Sequence, residues 1–153
     1  MKHVRYKFLI DNDVIQHYNI HIPVQIGYYF GAYLNDPDGW SKHGYVFEPV
    51  EHGEKVLIRL SMAKTVKRIC GSSENLSCAE LGGRFMYLNA DRWFNGAPAS
   101  KLPLEDYRQY MVSHEIGHIL GHEHESCPCK NCKAPIMMQQ TKGIGNCKPS
   151  TSV

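Results

Sequence analysis

The chain has 153 residues, 42% hydrophobic and 21% charged, with a formal net charge of +2 when histidine is neutral. That length suits one domain with one core, and so small a charge, with the basic residues scattered, argues against nucleic acid or an anionic membrane surface as a partner. No stretch is apolar and long enough to span a bilayer. The N-terminus has no apolar run of signal-peptide length, which leaves either a chain retained where it is made or a mature form.

The first element is a strand over Val4 to Ile10, where Val4, Tyr6 and Phe8 alternate with Arg5 and Lys7. Pro23 opens a helix carrying Val24, Ile26, Tyr28, Tyr29, Phe30, Tyr33 and Leu34, apolar on more than one face, and Asn35-Asp36-Pro37-Asp38-Gly39 ends it. Two strands come next, Tyr45 to Val50 and Lys55 to Met62, and Glu51-His52-Gly53-Glu54 reads as a hairpin turn joining them. Ala63 to Cys70 reads as a short helix or turn, and Cys70 to Cys78 encloses a Ser/Asn-rich loop. Arg84 to Asn89 is a further strand, and Asp91 to Gly96 turns out of it. Pro103, Glu105 and Asp106 suit the start of a long helix from Leu104 to Gly121. The remainder is rich in Cys, Pro and Gly and reads as cross-linked loops.

Mixed helices and strands make the class α+β or α/β. We expect a single domain over 1–153. The sheet and first helix fill its first two thirds, the long helix comes next, and loops span 122–153. The six cysteines are Cys70, Cys78, Cys127, Cys129, Cys132 and Cys147. An even count points to disulfides, while the absence of an export signal leaves room for free or metal-bound thiols.

The chemistry lies in His114-Glu115-Ile116-Gly117-His118-Ile119-Leu120-Gly121-His122-Glu123-His124. His114 and His118 are four residues apart and share one helical face, so their imidazoles can converge on one metal ion. Glu115 sits about 100° around the helix from His114, placed to reach a water without taking a ligand position. Gly121 can adopt the left-handed conformation that ends a helix, and His124 then returns as a third ligand. Three protein ligands with a fourth position open mark a catalytic zinc site rather than a structural one. His122 lacks the spacing of a ligand and reads as a surface or supporting residue. Glu123 and Glu125 are candidates for orienting ligand imidazoles, or for a solvated acidic turn. Tyr107, Met111, His114 and His118 share one side of the helix and Val112, Ile116 and Ile119 the other, so the helix is buried.

The eleven-residue run matches the metzincin spacing, and metzincins place a methionine in a tight turn beneath the metal. Met137, in Ala134-Pro135-Ile136-Met137-Met138-Gln139-Gln140-Thr141, is the better of two candidates. Leu88-Asn89-Ala90-Asp91-Arg92-Trp93, Tyr107-Arg108-Gln109-Tyr110, Cys127-Pro128, the Ala134 to Gly143 run and Cys147 extend the likeness. Together, from about Asp38-Gly39-Trp40 onward, they resemble an uncharacterised group of metzincin-like metallopeptidases, a domain of unknown function found mainly in exported bacterial proteins. The resemblance implies a metzincin-like α+β fold: a small mixed twisted sheet, two main helices, a Gly turn, and a disulfide-rich C-terminal region with the Met-turn. It implies zinc on His114, His118 and His124, and the pairs Cys70–Cys78 and Cys127–Cys147. Cys129 and Cys132 are additional to the family pattern. They form a short bridge of their own, or join Cys127 and Cys147 in a second, four-thiolate zinc site. Glu125 stands where the family has a small or apolar residue, and Gln139 where some metzincins have a ligand tyrosine.

The expected function is a zinc-dependent endopeptidase, in which a zinc-activated water is deprotonated by Glu115, which then protonates the leaving amine. The partner is a peptide or protein substrate, which the Arg84 to Asn89 strand could take up by strand addition. The chain is expected to act as a monomer, and Cys usage together with the resemblance favours an extracellular location. A catalytically silent zinc-stabilised binding module is the reading from another class, and retention of Glu115 argues against it. A metal hydrolase of non-peptide amides is a third.

Overall fold

The computed structural model describes residues 1–71 and 73–153, and Ser72, inside the predicted Ser/Asn-rich loop, lies outside the described residues. The elements in chain order are β1 (Lys2–Ile10), α1 (Asn12–His17), α2 (Pro23–Leu34), β2 (Tyr45–Pro49), β3 (Val56–Ser61), α3 (Ala63–Cys70), β4 (Cys78–Ala79), β5 (Phe85–Asn89), α4 (Ala90–Asn95) and α5 (Leu104–Ile119). Five strands form one sheet in the order β2-β1-β3-β5-β4. β1, β2, β3 and β5 pair in parallel and β4 is antiparallel to β5. The α+β class with a small mixed sheet is thus the one observed.

The expected hairpin between β2 and β3 does not form. β2 pairs with Lys2 to Tyr6 on one side of β1, and β3 pairs with Tyr6 to Ile10 on the other. The chain never reverses: it keeps its direction and steps across β1 at Tyr6. Val50 N–H donates to the Tyr6 carbonyl at 2.9 Å on one side, and Lys55 N–H donates to the Arg5 carbonyl at 2.9 Å on the other. Turn-forming residues at 51–54 therefore serve a crossing. Local turn chemistry does not distinguish a crossing from a reversal.

The core lies between the sheet and the two long helices. Val56, Ile58 and Leu60 of β3 and Met86 and Leu88 of β5 are fully buried against Phe30 and Leu34 of α2 and Val112 and Ile116 of α5. Burial of each such side chain contributes about 1.5–3 kcal/mol. Only part of α2 reaches this core. Val24, Tyr28 and Tyr29 are exposed, so its second apolar face is turned to solvent. In α5, by contrast, every residue from Tyr107 to Ile119 except Arg108 is buried, as its two-sided apolar pattern requires.

Asp91 to Gly96, read as a turn, is in fact α4 followed by its C-cap glycine. The Asn89 side chain accepts from the Asp91 and Arg92 N–H groups, the N-cap role of asparagine. The same amide donates to the Glu74 carbonyl at 2.6 Å, and Asn89 N–H donates to Ser77 Oγ at 2.9 Å. One buried residue therefore ends the strand, starts the helix and pins the 74–77 loop.

All six cysteines are paired, as Cys70–Cys78, Cys127–Cys147 and Cys129–Cys132. The first joins α3 to β4. The other two staple the C-terminal loops and leave no thiolate for a four-sulfur zinc site, which removes that alternative. Cross-linked loops of this kind are compatible with an oxidising, extracellular setting. Among the described residues no helix is long and apolar enough to cross a membrane.

Candidate metal centre

His114 and His118 project from one side of α5, as their spacing requires. After Ile119 the helix closes in the left-handed turn expected at Gly121, whose φ is +100°. Gly121 N–H donates to the His118 carbonyl at 2.9 Å and His122 N–H to the Gly117 carbonyl at 2.9 Å. The chain then doubles back and delivers His124. One nitrogen from each of His114, His118 and His124 lies within 4.8 Å of the others. His114 and His118 are 6% and 8% exposed, whereas His124 is on the surface.

The outward-facing nitrogens decide what this cluster can hold. His114 Nδ1 lies 2.8 Å from the Ile136 carbonyl, and His118 Nδ1 lies 2.8 Å from the His122 carbonyl. A carbonyl only accepts, so both Nδ1 atoms carry the proton and both Nε2 atoms are bare lone pairs. His118 Nε2 sits 3.1 Å from His124 Nε2. Burial lowers the pKa of all three imidazoles, His114 to about 3, and the nearby rings lower His114 and His124 further. Neutral rings whose lone pairs converge repel one another unless they share a cation. The donor set is therefore that of a metal site, of nitrogen type suited to a borderline first-row ion.

The imidazoles of His114 and His118 are oriented by backbone carbonyls, not by the carboxylates of Glu123 or Glu125. Glu123 lines the cleft. Glu125 contributes through its backbone: its N–H donates to the Met137 carbonyl at 3.0 Å and ties the His124 segment to the turn below. His122 lies outside the cluster, but its carbonyl orients His118 and its ring stacks on Trp40 with centroids 4.5 Å apart.

Met137 is buried at 2% exposure, under the helix. A Cβ on Gly117 would overlap Met137 Sδ and lie 3.0 Å from Trp40 Cζ2. Trp40 Nε1 in turn donates to the Ser113 carbonyl at 2.8 Å. Gly117, Trp40 and Tyr110 are the site residues that the sequence reading passed over. Gly117 carried a signal, because glycine inside a helix is unfavourable unless something must come close.

Glu115 is buried, 5% exposed, and desolvation pushes its carboxyl up to about 8. A cation nearby would pull it down again. Together with the three histidines it lines a cleft of about 670 Å³, walled by Tyr107, Tyr110 and Met111 of α5, Cys78 and Ala79 of β4, and Gln139 and Thr141 beyond the Met137 turn. The strand at the cleft is thus β4 and not β5. β5 is interior, paired on both sides by β3 and β4.

The pattern of a family described as "Protein of unknown function (DUF3152)" matches residues 5–150. The chain belongs to that family. No curated protein matches the sequence. Among solved structures, the crystal structure of myroilysin is similar with a TM-score of 0.50 and 19% identity, over 86% of this chain and 48% of that one. A second myroilysin structure gives 0.46 and 16% identity, over 80% and 49%. Archaemetzincin from Archaeoglobus fulgidus, complexed with malonate, gives 0.38 and 15% identity, over 97% and 96%. The chain spans about half the length of the myroilysin chains it matches. The likeness to myroilysin at 0.50 concerns the fold. The case for chemistry rests on the cluster itself.

Proposed function

We propose that this protein is a zinc-dependent endopeptidase, with His114, His118 and His124 as ligands and Glu115 as general base and acid. The observation that carries this reading is the convergence of three neutral imidazoles beside a buried carboxyl at the head of an open cleft. Zinc held there would supply Lewis acidity to a water and to a substrate carbonyl. Glu115 has no ligand role to fill. Its carboxylate takes a proton from the attacking water and hands it to the leaving amine. The closed helix end at Gly121 and the Met137 turn hold the ligands from two directions. β4, short and at the sheet edge beside the cleft, offers backbone groups along which an extended peptide can lie.

The test is a peptide-library assay on wild type and Glu115→Ala at matched zinc content, with metal counted by elemental analysis. The expected result is one zinc per wild-type chain, cleavage by wild type, and a fall of about 10²–10⁴-fold in the variant. Equal inertness of two zinc-loaded proteins would sink the peptidase reading. A wild type that takes up no zinc would sink the metal site as well.

A further inference from the structure

Tyr110 lies one helical turn before His114 on α5 and is 2% exposed. Its hydroxyl meets three polar groups: the Met138 carbonyl at 2.8 Å, the Gln140 N–H at 2.9 Å and His114 Nδ1 at 3.3 Å. A phenol has one proton to give and lone pairs to receive with. The Met138 carbonyl can only accept, so it takes that proton. The Gln140 N–H can only donate, so it occupies a lone pair. What the oxygen has left to offer His114 is acceptance. Ile136, whose carbonyl lies 2.8 Å from the same nitrogen, is likewise an acceptor. With two acceptors around Nδ1, the proton belongs on Nδ1 and the bare lone pair on Nε2.

The same three contacts have a mechanical side. Met138 and Gln140 lie just after Met137 in the chain, and Ile136 precedes it. A hydroxyl on the helix therefore grips the turn just past its methionine, and the grip sets where the Ile136 carbonyl meets His114. We propose that Tyr110 is a positioning residue for His114: its hydroxyl fixes the imidazole as the Nδ1–H tautomer, Nε2 facing the cleft, and locks the 136–140 turn to α5. The inference rests on the reading of His114 as a metal ligand.

Two measurements test it. Long-range proton–nitrogen NMR on the metal-free wild type at neutral pH should find His114 protonated on Nδ1 and bare on Nε2. The opposite tautomer, or an even mixture, overturns the proposal. In the second, zinc affinity is read by competition with a chromophoric chelator for wild type, Tyr110→Phe and Asp11→Ala. The last breaks the Asp11–Arg59 ion pair, neither member of which lines the cleft, and controls for lost stability alone. Tyr110→Phe should bind zinc about 10–100-fold more weakly, the usual consequence of removing a group that orients a ligand, and Asp11→Ala should match wild type. Wild-type affinity in Tyr110→Phe overturns the proposal whatever its melting temperature. If Tyr110→Phe does not fold, the Tyr110 hydroxyl proton in the wild type decides: donated to the Met138 carbonyl, it should exchange slowly with water, and a freely exchanging hydroxyl overturns the proposal. If the wild type binds no zinc, the peptidase reading falls, and the His114 tautomer of Tyr110→Phe against that of wild type still judges Tyr110: a smaller Nδ1–H share is expected, and an unchanged share overturns the proposal.

Discussion

Glycine in a helix interior is about 1 kcal/mol less favourable than alanine, so Gly117 in the middle of α5 needs a reason, and Met137 supplies it. The methionine sulfur occupies the space that a Cβ would fill, with Trp40 closing the other side. Gly117→Ala should therefore destabilise by about 1–3 kcal/mol, the range for overpacking a filled site. Chemical denaturation of the metal-free protein checks this. A variant as stable as wild type would mean that the turn moves aside at no cost. The convergence of His114, His118 and His124 was legible in the sequence because it follows from spacing along α5 and the glycine turn after it. Their supports were not. The carbonyls of Ile136 and His122 belong to residues whose side chains say nothing about them, and Trp40 reaches Ser113 from a segment 73 residues away. A metal site announces its ligands in sequence more readily than the groups that hold them.

At the scale of elements, Asn89 joins β5, α4 and the loop at the cleft wall. Asn89→Ala removes a helix cap, worth about 0.5–2 kcal/mol, and also frees the Glu74 and Leu76 carbonyls. Thermal unfolding should register the first loss. Hydrogen exchange should register the second as faster exchange confined to residues 73–77, and unchanged exchange there would mean that the Cys70–Cys78 disulfide and the Asn89 N–H bond to Ser77 Oγ hold the loop without the side-chain amide. Most element types were readable from periodicity: β1, α2, β3, β5 and α5 stand close to where their patterns place them. The errors were in the short α1, β4 and α4, which are too brief for a periodicity to show, and in pairing. Apolar alternation says that β2 and β3 are strands, and the turn residues between them say that the chain bends. Neither says which strand lies between. That is fixed by Tyr6, whose place in β1 serves both neighbours at once.

Over the whole molecule, the third of the proposed ligands is the least supported. His124 is exposed and lies on a segment without regular structure. It is tethered by the Glu125 N–H to Met137 contact and, three residues on, by Cys127–Cys147. That disulfide closes a loop with a sequence separation of 20, worth about 3 kcal/mol in the chain-entropy account. Replacing both cysteines by serine should lower the melting temperature and weaken zinc binding together, read by calorimetry and chelator competition. The same replacement at Cys129 and Cys132, separated by only 3 residues, should change both far less. Equal zinc affinity in the Cys127/Cys147 variant would mean that Glu125 is tether enough. The passage of the chain over β1 at Tyr6 bears on assembly of the molecule. The first strand has its partners at Tyr45–Pro49 on one flank and at Val56–Ser61 on the other, so it cannot be incorporated by zipping up locally with the residues next to it in the chain. Closing contacts over such spans is slow compared with local pairing. The centre of the sheet is thus made first in sequence and completed only once both of its distant partner strands have arrived.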